Sequence, residues 1–281
     1  VRRDDAGLIE VPGAAEPEEW LDVEPALSEI EDYGILRGWG EWRRFVRAVD
    51  RDPGLRPQAV AELLHLAREA ARRGESFQMA SAVDHALALE PALGLDDLAL
   101  PLARHHFRNG EYARALPLFQ RALREGVDSV PEVLFELGRA YDGIGDCANA
   151  LVYLDRFREQ VSRRQRGEVD WFLGKCSFER ARELRARVPD PETDDLEEAL
   201  ALVERTLEVG EPRSILGEAW FERGEILAAL GRCQEAVESF RQVRVVEGPA
   251  SSTLVQRAQQ RVDDILFGAA LRDLRPDRPC G

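Results

Sequence analysis

Apolar residues recur along this chain three, four and seven positions apart, the spacing that gathers side chains on one face of an α-helix. Trp220, Gly224 and Leu227 make one such stripe, Ala236 and Phe240 the next, and Pro249 closes the unit. The same order of features returns around one small residue per unit: Ala67, Ala103, Gly138, Gly174 and Gly224, separated by 36, 35, 36 and 50 positions. A small residue inside an apolar stripe lets a second helix come close. Each following stripe offers a small residue and, four places on, a bulky one, as in Ala115 with Phe119, Ala150 with Leu154 and Ala236 with Phe240, so knob meets hole. Gly74, the pair Asn109 and Gly110, Gly145 and Gly231 fall between the stripes, where a positive φ ends a helix. No segment alternates apolar and polar residues as a half-buried strand would, so the pattern predicts an all-α chain of repeated helical hairpins.

The ends depart from the repeat. Residues 1–13 have no periodicity and are expected to be disordered. Residues 14–56 read as a degenerate helical region, acidic and broken by Pro17 and Pro25, in which Phe45, Ala48 and Pro53 resemble half of a decayed unit. The repeats run over 57–250, with units near 60–95, 96–130, 131–166, 167–216 and 217–250. In the fourth, Gly174 and Ala199 stand 25 apart where other units use 12, so that hairpin must be longer. Its first helix is expected from Glu168 to Arg187, with a turn at Pro189, Asp190 and Pro191 and N-caps at Thr193 and Asp194. Leu254, Val255, Ala258, Val262, Ile265 and Leu266 form a last stripe, read as a capping helix over 251–268 that shields the final repeat with a polar outer side. Residues 269–281, with Pro276 and Pro279, read as a flexible tail.

This pattern resembles the tetratricopeptide repeat family, whose period is about 34 residues and whose signature runs Trp-x2-Leu-Gly-x2-Tyr, Ala-x3-Phe, Pro. Leu137, Gly138, Tyr141 and Ala150 carry it in one unit. Trp220, Gly224, Ala236, Phe240 and Pro249 carry it in another, and Ala67, Ala70, Gly74, Ala86 and Pro91 in the first. The resemblance implies a right-handed superhelical solenoid of about five hairpins plus the capping helix. It also implies a protein-binding role on the concave face formed by the first helix of each hairpin.

Charge narrows the partner class. The chain has 53 acidic against 38 basic residues, a net charge of -15, which argues against nucleic acid, since phosphate neutralisation needs a cationic surface. No apolar run approaches the ~20 residues of a membrane span. Basic residues are almost all arginine, with Lys175 the one lysine, a bias expected of a GC-rich bacterial genome. A cytoplasmic location is the default expectation, and a periplasmic one follows if a leader was removed ahead of Val1.

Catalytic chemistry finds no motif. Gly143 to Ala148 fits a relaxed G-x-G-x-x-A string, but it follows a helical stripe where a nucleotide fingerprint requires a strand, so it is read as a turn. Of the histidines His65, His85, His105 and His106, the last two point ~100° apart on a helix and do not face one metal together. No cofactor or metal is expected, and the chain is read as non-enzymatic. Cys147, Cys176, Cys233 and Cys280 contain no C-x-x-C pair. Antiparallel packing of one hairpin's second helix on the next hairpin's first brings Cys147 towards Cys176, which makes these two the candidate disulfide, set against inert buried thiols.

The clearest functional signal lies one residue after each small step: Arg68, Arg104, Arg139 and Lys175, with Arg108 adding charge at one end. Four residues before them come Leu64, Leu100, Phe135 and Trp171, and Phe221 precedes Glu225 in the same way. The expected surface is an apolar ladder beside a basic one, fitted to an acidic and apolar segment of another protein. Opposed to this is the reading that neighbouring acids such as Glu136 and Asp142 hold the cations. A second reading is a structural subunit of a bacterial envelope-associated assembly. The partner's identity and the oligomeric state stay open.

Overall fold

In a computed structural model, the described residues are 2–3, 9–10, 49, 53–124, 131–187, 193–248, 253–270 and 280. Among them, eleven α-helices account for nearly all the structure: α1 (Arg56–Arg73), α2 (Ser76–Leu89), α3 (Ala99–Arg108), α4 (Tyr112–Arg124), α5 (Pro131–Gly143), α6 (Cys147–Gln160), α7 (Arg166–Arg185), α8 (Thr193–Val209), α9 (Leu216–Ala229), α10 (Cys233–Glu247) and α11 (Thr253–Ala270). The fold is all-α, as the spacing predicts. One exception stands in the first 13 residues, expected to be unstructured, where β1 (Arg2–Arg3) pairs antiparallel with β2 (Ile9–Glu10). Phe45 and Ala48 of the decayed repeat, the turn at 189–191, Pro249 and most of the tail lie outside the described residues.

The chain divides into two compact units, Val1–Val127 and Asp128–Gly281. In the first unit α1 pairs with α2 and α3 with α4, and α2 packs on α3. Helix α1 shows why these segments are helices: Pro57 sits in the first turn, Ala59, Val60, Leu63, Ala67 and Ala70 fall on one buried face, and Gly74 stops it at φ 75°. The other expected turn glycines, Gly110, Gly145 and Gly231, also take positive φ.

In the second unit each helix from α5 to α11 packs on its successor, and the first helices α5, α7 and α9 also touch in order. The small steps are where hairpins cross. A Cβ on Gly138 would meet the Leu154 side chain at 2.6 Å, and one on Gly224 would meet the Phe240 ring at 2.6 Å, the knob and hole read from the sequence.

Gly174 differs. Its close neighbour is the carbonyl of Glu211, in the chain leaving α8, while Thr206 Oγ1 donates a hydrogen bond to the Gly174 carbonyl at 3.1 Å. Because α7 and α8 have 20 and 17 residues, α8 returns past the level of its usual partner and the exit chain takes the crossing. Helix α7 begins two residues earlier and ends two earlier than expected, and α8 starts at Thr193.

The capping helix is present as α11, with Val255, Ala258, Val262 and Ile265 on the core and Leu266 exposed instead of buried. Cys280 forms a disulfide with Cys233 at the start of α10. Sequence alone does not reveal such connectivity among four cysteines.

Candidate functional site

The five predicted positions in each ladder fall in different units. Leu64, Arg68, Leu100, Arg104 and Arg108 belong to the first, Phe135, Arg139, Trp171, Lys175 and Phe221 to the second.

In the first unit Leu64 packs against the core, and Leu100 is half-buried. Arg68 donates from Nε to both Asp97 carboxylate oxygens, at 3.0 and 3.3 Å, tying α1 to the turn that opens α3. Arg104 is half-buried and Arg108 is exposed at the end of α3. Beyond Arg108, the two adjacent histidines point to different partners, as their helical separation requires. Nδ1 of buried His106 lies 2.6 Å from Glu111, and His105 lies 3.1 Å from Asn109. The hydrogen bond with His106 holds the Glu111 carboxyl below its usual range.

The second unit gathers most of the aromatic signal. Phe135 stacks on Phe157 of α6 with ring centroids 4.9 Å apart and meets Phe172 edge-on at 5.8 Å. Trp171 lies edge-on to Phe172 at 4.9 Å and keeps 41% of its surface exposed. The Arg139 guanidinium lies over both Phe135 and Phe172, 5.7 and 5.3 Å from their centroids, and pairs with Glu168 at 3.7 Å. Phe157 and Phe172 were missed in the sequence because they stand outside the small-step register. Phe172 was nonetheless signalled by its place beside Trp171.

Lys175 donates to Asp142 at 2.6 Å, with Glu179 at 3.8 Å. Burial works against its charge, but these acids outweigh it and raise its pKa. In the second unit the basic ladder is therefore also an ion-pair ladder between the first helices of successive hairpins, with Asp142 the acid anticipated and Glu168 a further one. The ladder stops at Glu225 for the same reason, since Glu225 accepts a hydrogen bond from Arg261 of α11 at 2.6 Å.

Phe221 corrects the predicted surface. It is 8% exposed, its ring packs edge-on against Phe240, and Arg257 of α11 covers it at 4.6 Å. The capping helix occupies the place a partner was expected to take. Another feature missed from the sequence is Glu222, 5% exposed and ion-paired through both oxygens with Arg185 of α7.

Paired helices crossing at small residues, glycine-ended turns and a sealing helix define a helical-hairpin repeat protein. The tetratricopeptide repeat family model matches residues 100–163 and 192–252, so these two stretches carry tetratricopeptide repeats. No curated protein sequence matches it. Similar solved structures include BtubC from P. vanneervenii, 17% identical over 85% of this chain and 97% of that one, TM-score 0.34. A putative kinesin light chain with nearly identical TPR-like repeats from Podosopora anserina is 17% identical over 68% and 96%, TM-score 0.35. Yeast Tom70 is 15% identical over 92% and 57%, TM-score 0.39. At such scores these likenesses say nothing about what this chain binds. Among the described residues no helix is long and apolar enough to cross a membrane.

Proposed function

We propose that the chain is a non-enzymatic scaffold that binds an acidic and apolar segment of a partner protein, with Trp171 and Arg139 at the centre of contact. The tetratricopeptide repeat class, which generally mediates protein–protein interaction, supports the coarse reading. The observation that carries the finer one is the half-covered aromatic group on α5 and α7. Trp171 stays 41% exposed while the rings beside it are packed and capped by a guanidinium. Trp and Arg are among the residues that most often dominate interface energetics. An acidic residue of the partner would replace Glu168 on Arg139.

The test uses a partner recovered with the full chain as bait and identified by mass spectrometry. Trp171→Ala and Arg139→Glu should each weaken its binding by about 2 kcal/mol, roughly 30-fold, with the helical signal retained. Glu168→Gln should tighten it a few-fold by removing the in-chain competitor. Parent-like affinity in all three variants would place the contact elsewhere.

The assembly-subunit reading is favoured by one observation, the disulfide between Cys233 and Cys280, since disulfides persist in oxidising compartments such as a periplasm. It places fixed contacts on α11, where Leu266 and Phe267 are exposed. Phe267→Asp would dissolve such an assembly while leaving binding at Trp171 intact.

A further inference from the structure

Cys147 is the first residue of α6, and Cys176 lies midway along α7. Both are buried thiols, 5% and 0% exposed. Their sulfurs are 2.7 Å apart, inside the ~3.5–4.0 Å at which even the smaller carbon atoms make non-bonded contact. Closing to the ~2.05 Å of a disulfide needs an approach of about 0.7 Å. Carboxylates flank the pair: Cys147 Sγ lies 3.3 Å from Glu179 Oε2, and Cys176 Sγ lies 3.4 Å from Asp142 Oδ1.

Asp142, Cys147 and Cys176 bring their ligand atoms within 4.8 Å of one another, so a metal site is the competing use of the cluster. The spacing argues against it. Two thiolates on one tetrahedral zinc, each at ~2.3 Å, stand about 3.8 Å apart, well beyond the 2.7 Å found here. Asp142 is also engaged by the Lys175 ammonium at 2.6 Å.

The geometry points to Cys147 and Cys176 as a redox pair: the structure holds the dithiol, and oxidation joins α6 to α7 through a second disulfide. A low-molecular-weight disulfide such as oxidised glutathione is the oxidant. One protein sulfur gives up its proton and attacks the small disulfide, whose S–S bond breaks to release one thiol and leave a mixed disulfide. The second protein sulfur, losing its proton in turn, attacks the first, and the other small thiol leaves. Two S–H bonds are lost from the protein, one S–S bond forms in it, and the two electrons leave on the two small thiols. The hydrogen bond with Cys147, burial and the Asp142 carboxylate all push the Cys176 thiol pKa up. Attack needs the thiolate, so the reaction is slow at neutral pH and accelerates as pH rises.

The bond would close a loop between residues 29 apart, both in the second unit and on successive hairpins. The test incubates the full chain with excess oxidised glutathione at alkaline pH, alkylates it under denaturing conditions and maps non-reduced peptides by mass spectrometry. The expected result is a peptide linking Cys147 to Cys176, together with a rise in Tm of about 5–10 °C. Cys233→Ser should keep the oxidant-dependent part of that rise, and Cys176→Ser should lose it. The peptide map of the parent decides the matter even where a serine variant fails to fold. Recovery of Cys147 and Cys176 as alkylated thiols, a link from either to Cys233 or Cys280, or tight zinc binding with both thiols intact would overturn the proposal.

Discussion

Single residues decide how closely the helices approach, and the three small-step glycines, Gly138, Gly174 and Gly224, are not equivalent. At Gly138 and Gly224 an added Cβ collides with the side chains of Leu154 and Phe240, which yield at less cost than backbone does. At Gly174 it would fall 1.6 Å from the backbone oxygen of Glu211, which moves only if the exit chain moves. We therefore expect Gly174→Ala to destabilise by about 3 kcal/mol or more, through overpacking against backbone. Gly138→Ala should cost about 1 kcal/mol or less, because better helix propensity offsets part of the collision. Denaturant unfolding of both variants checks the order, and equal losses would show that the exit chain yields as readily as Leu154.

Ion pairs follow the same logic of approach. Arg185 and Glu222 are coupled across α7 and α9, and Arg223 donates to Glu204 of α8 at 2.7 and 3.0 Å. The Arg185 partner matters because Glu222 is buried, and a carboxylate left there alone would be strongly unfavourable. The exposed pairs, such as Arg68 with Asp97, are screened by water and contribute little stability.

At the scale of elements, the capping helix does two things the sequence assigns to separate places. Its apolar stripe seals the last hairpin, and its arginines cover Phe221 and neutralise Glu225. A stack of hairpins always leaves its last apolar face open, so the seal should be indispensable. Val262→Asp places a carboxylate against that face at a site 4% exposed. The expected outcome is a loss of several kcal/mol, by burial of an unpaired charge, with increased binding of a hydrophobic dye. Unchanged melting and dye binding would show that α11 is dispensable.

For the whole molecule, the division at Val127 and Asp128 predicts unequal independence of the two parts. Residues 128–281 hold three hairpins, the sealing helix and the disulfide, whereas the described part of the first unit holds two hairpins. Stacked repeats need about three units to bury a self-sufficient core. A fragment of residues 128–281 should fold cooperatively with the helical circular dichroism expected of its sequence, and a fragment of residues 1–127 should melt at lower temperature. If the larger fragment is unfolded, the two units depend on each other for stability.

What the sequence determined by itself was everything that repeats within a helix or between neighbouring helices: hairpin count, turn glycines, and the contacts of Gly138 with Leu154 and Gly224 with Phe240. Those follow from 3.6-residue periodicity and residue size, both local properties. Of the predicted surface, Phe135, Arg139 and Trp171 do come together. Their clustering is legible because small-step register places them on successive first helices. Only the tertiary structure decided that Phe221 is covered, that Gly174 is crossed by the exit chain, that Arg68 and Lys175 are held by Asp97 and Asp142, and that Cys233 pairs with Cys280. Each of these depends on how far one hairpin's end reaches past another. That distance is set by helix length and packing across the stack, which no spacing along the chain records.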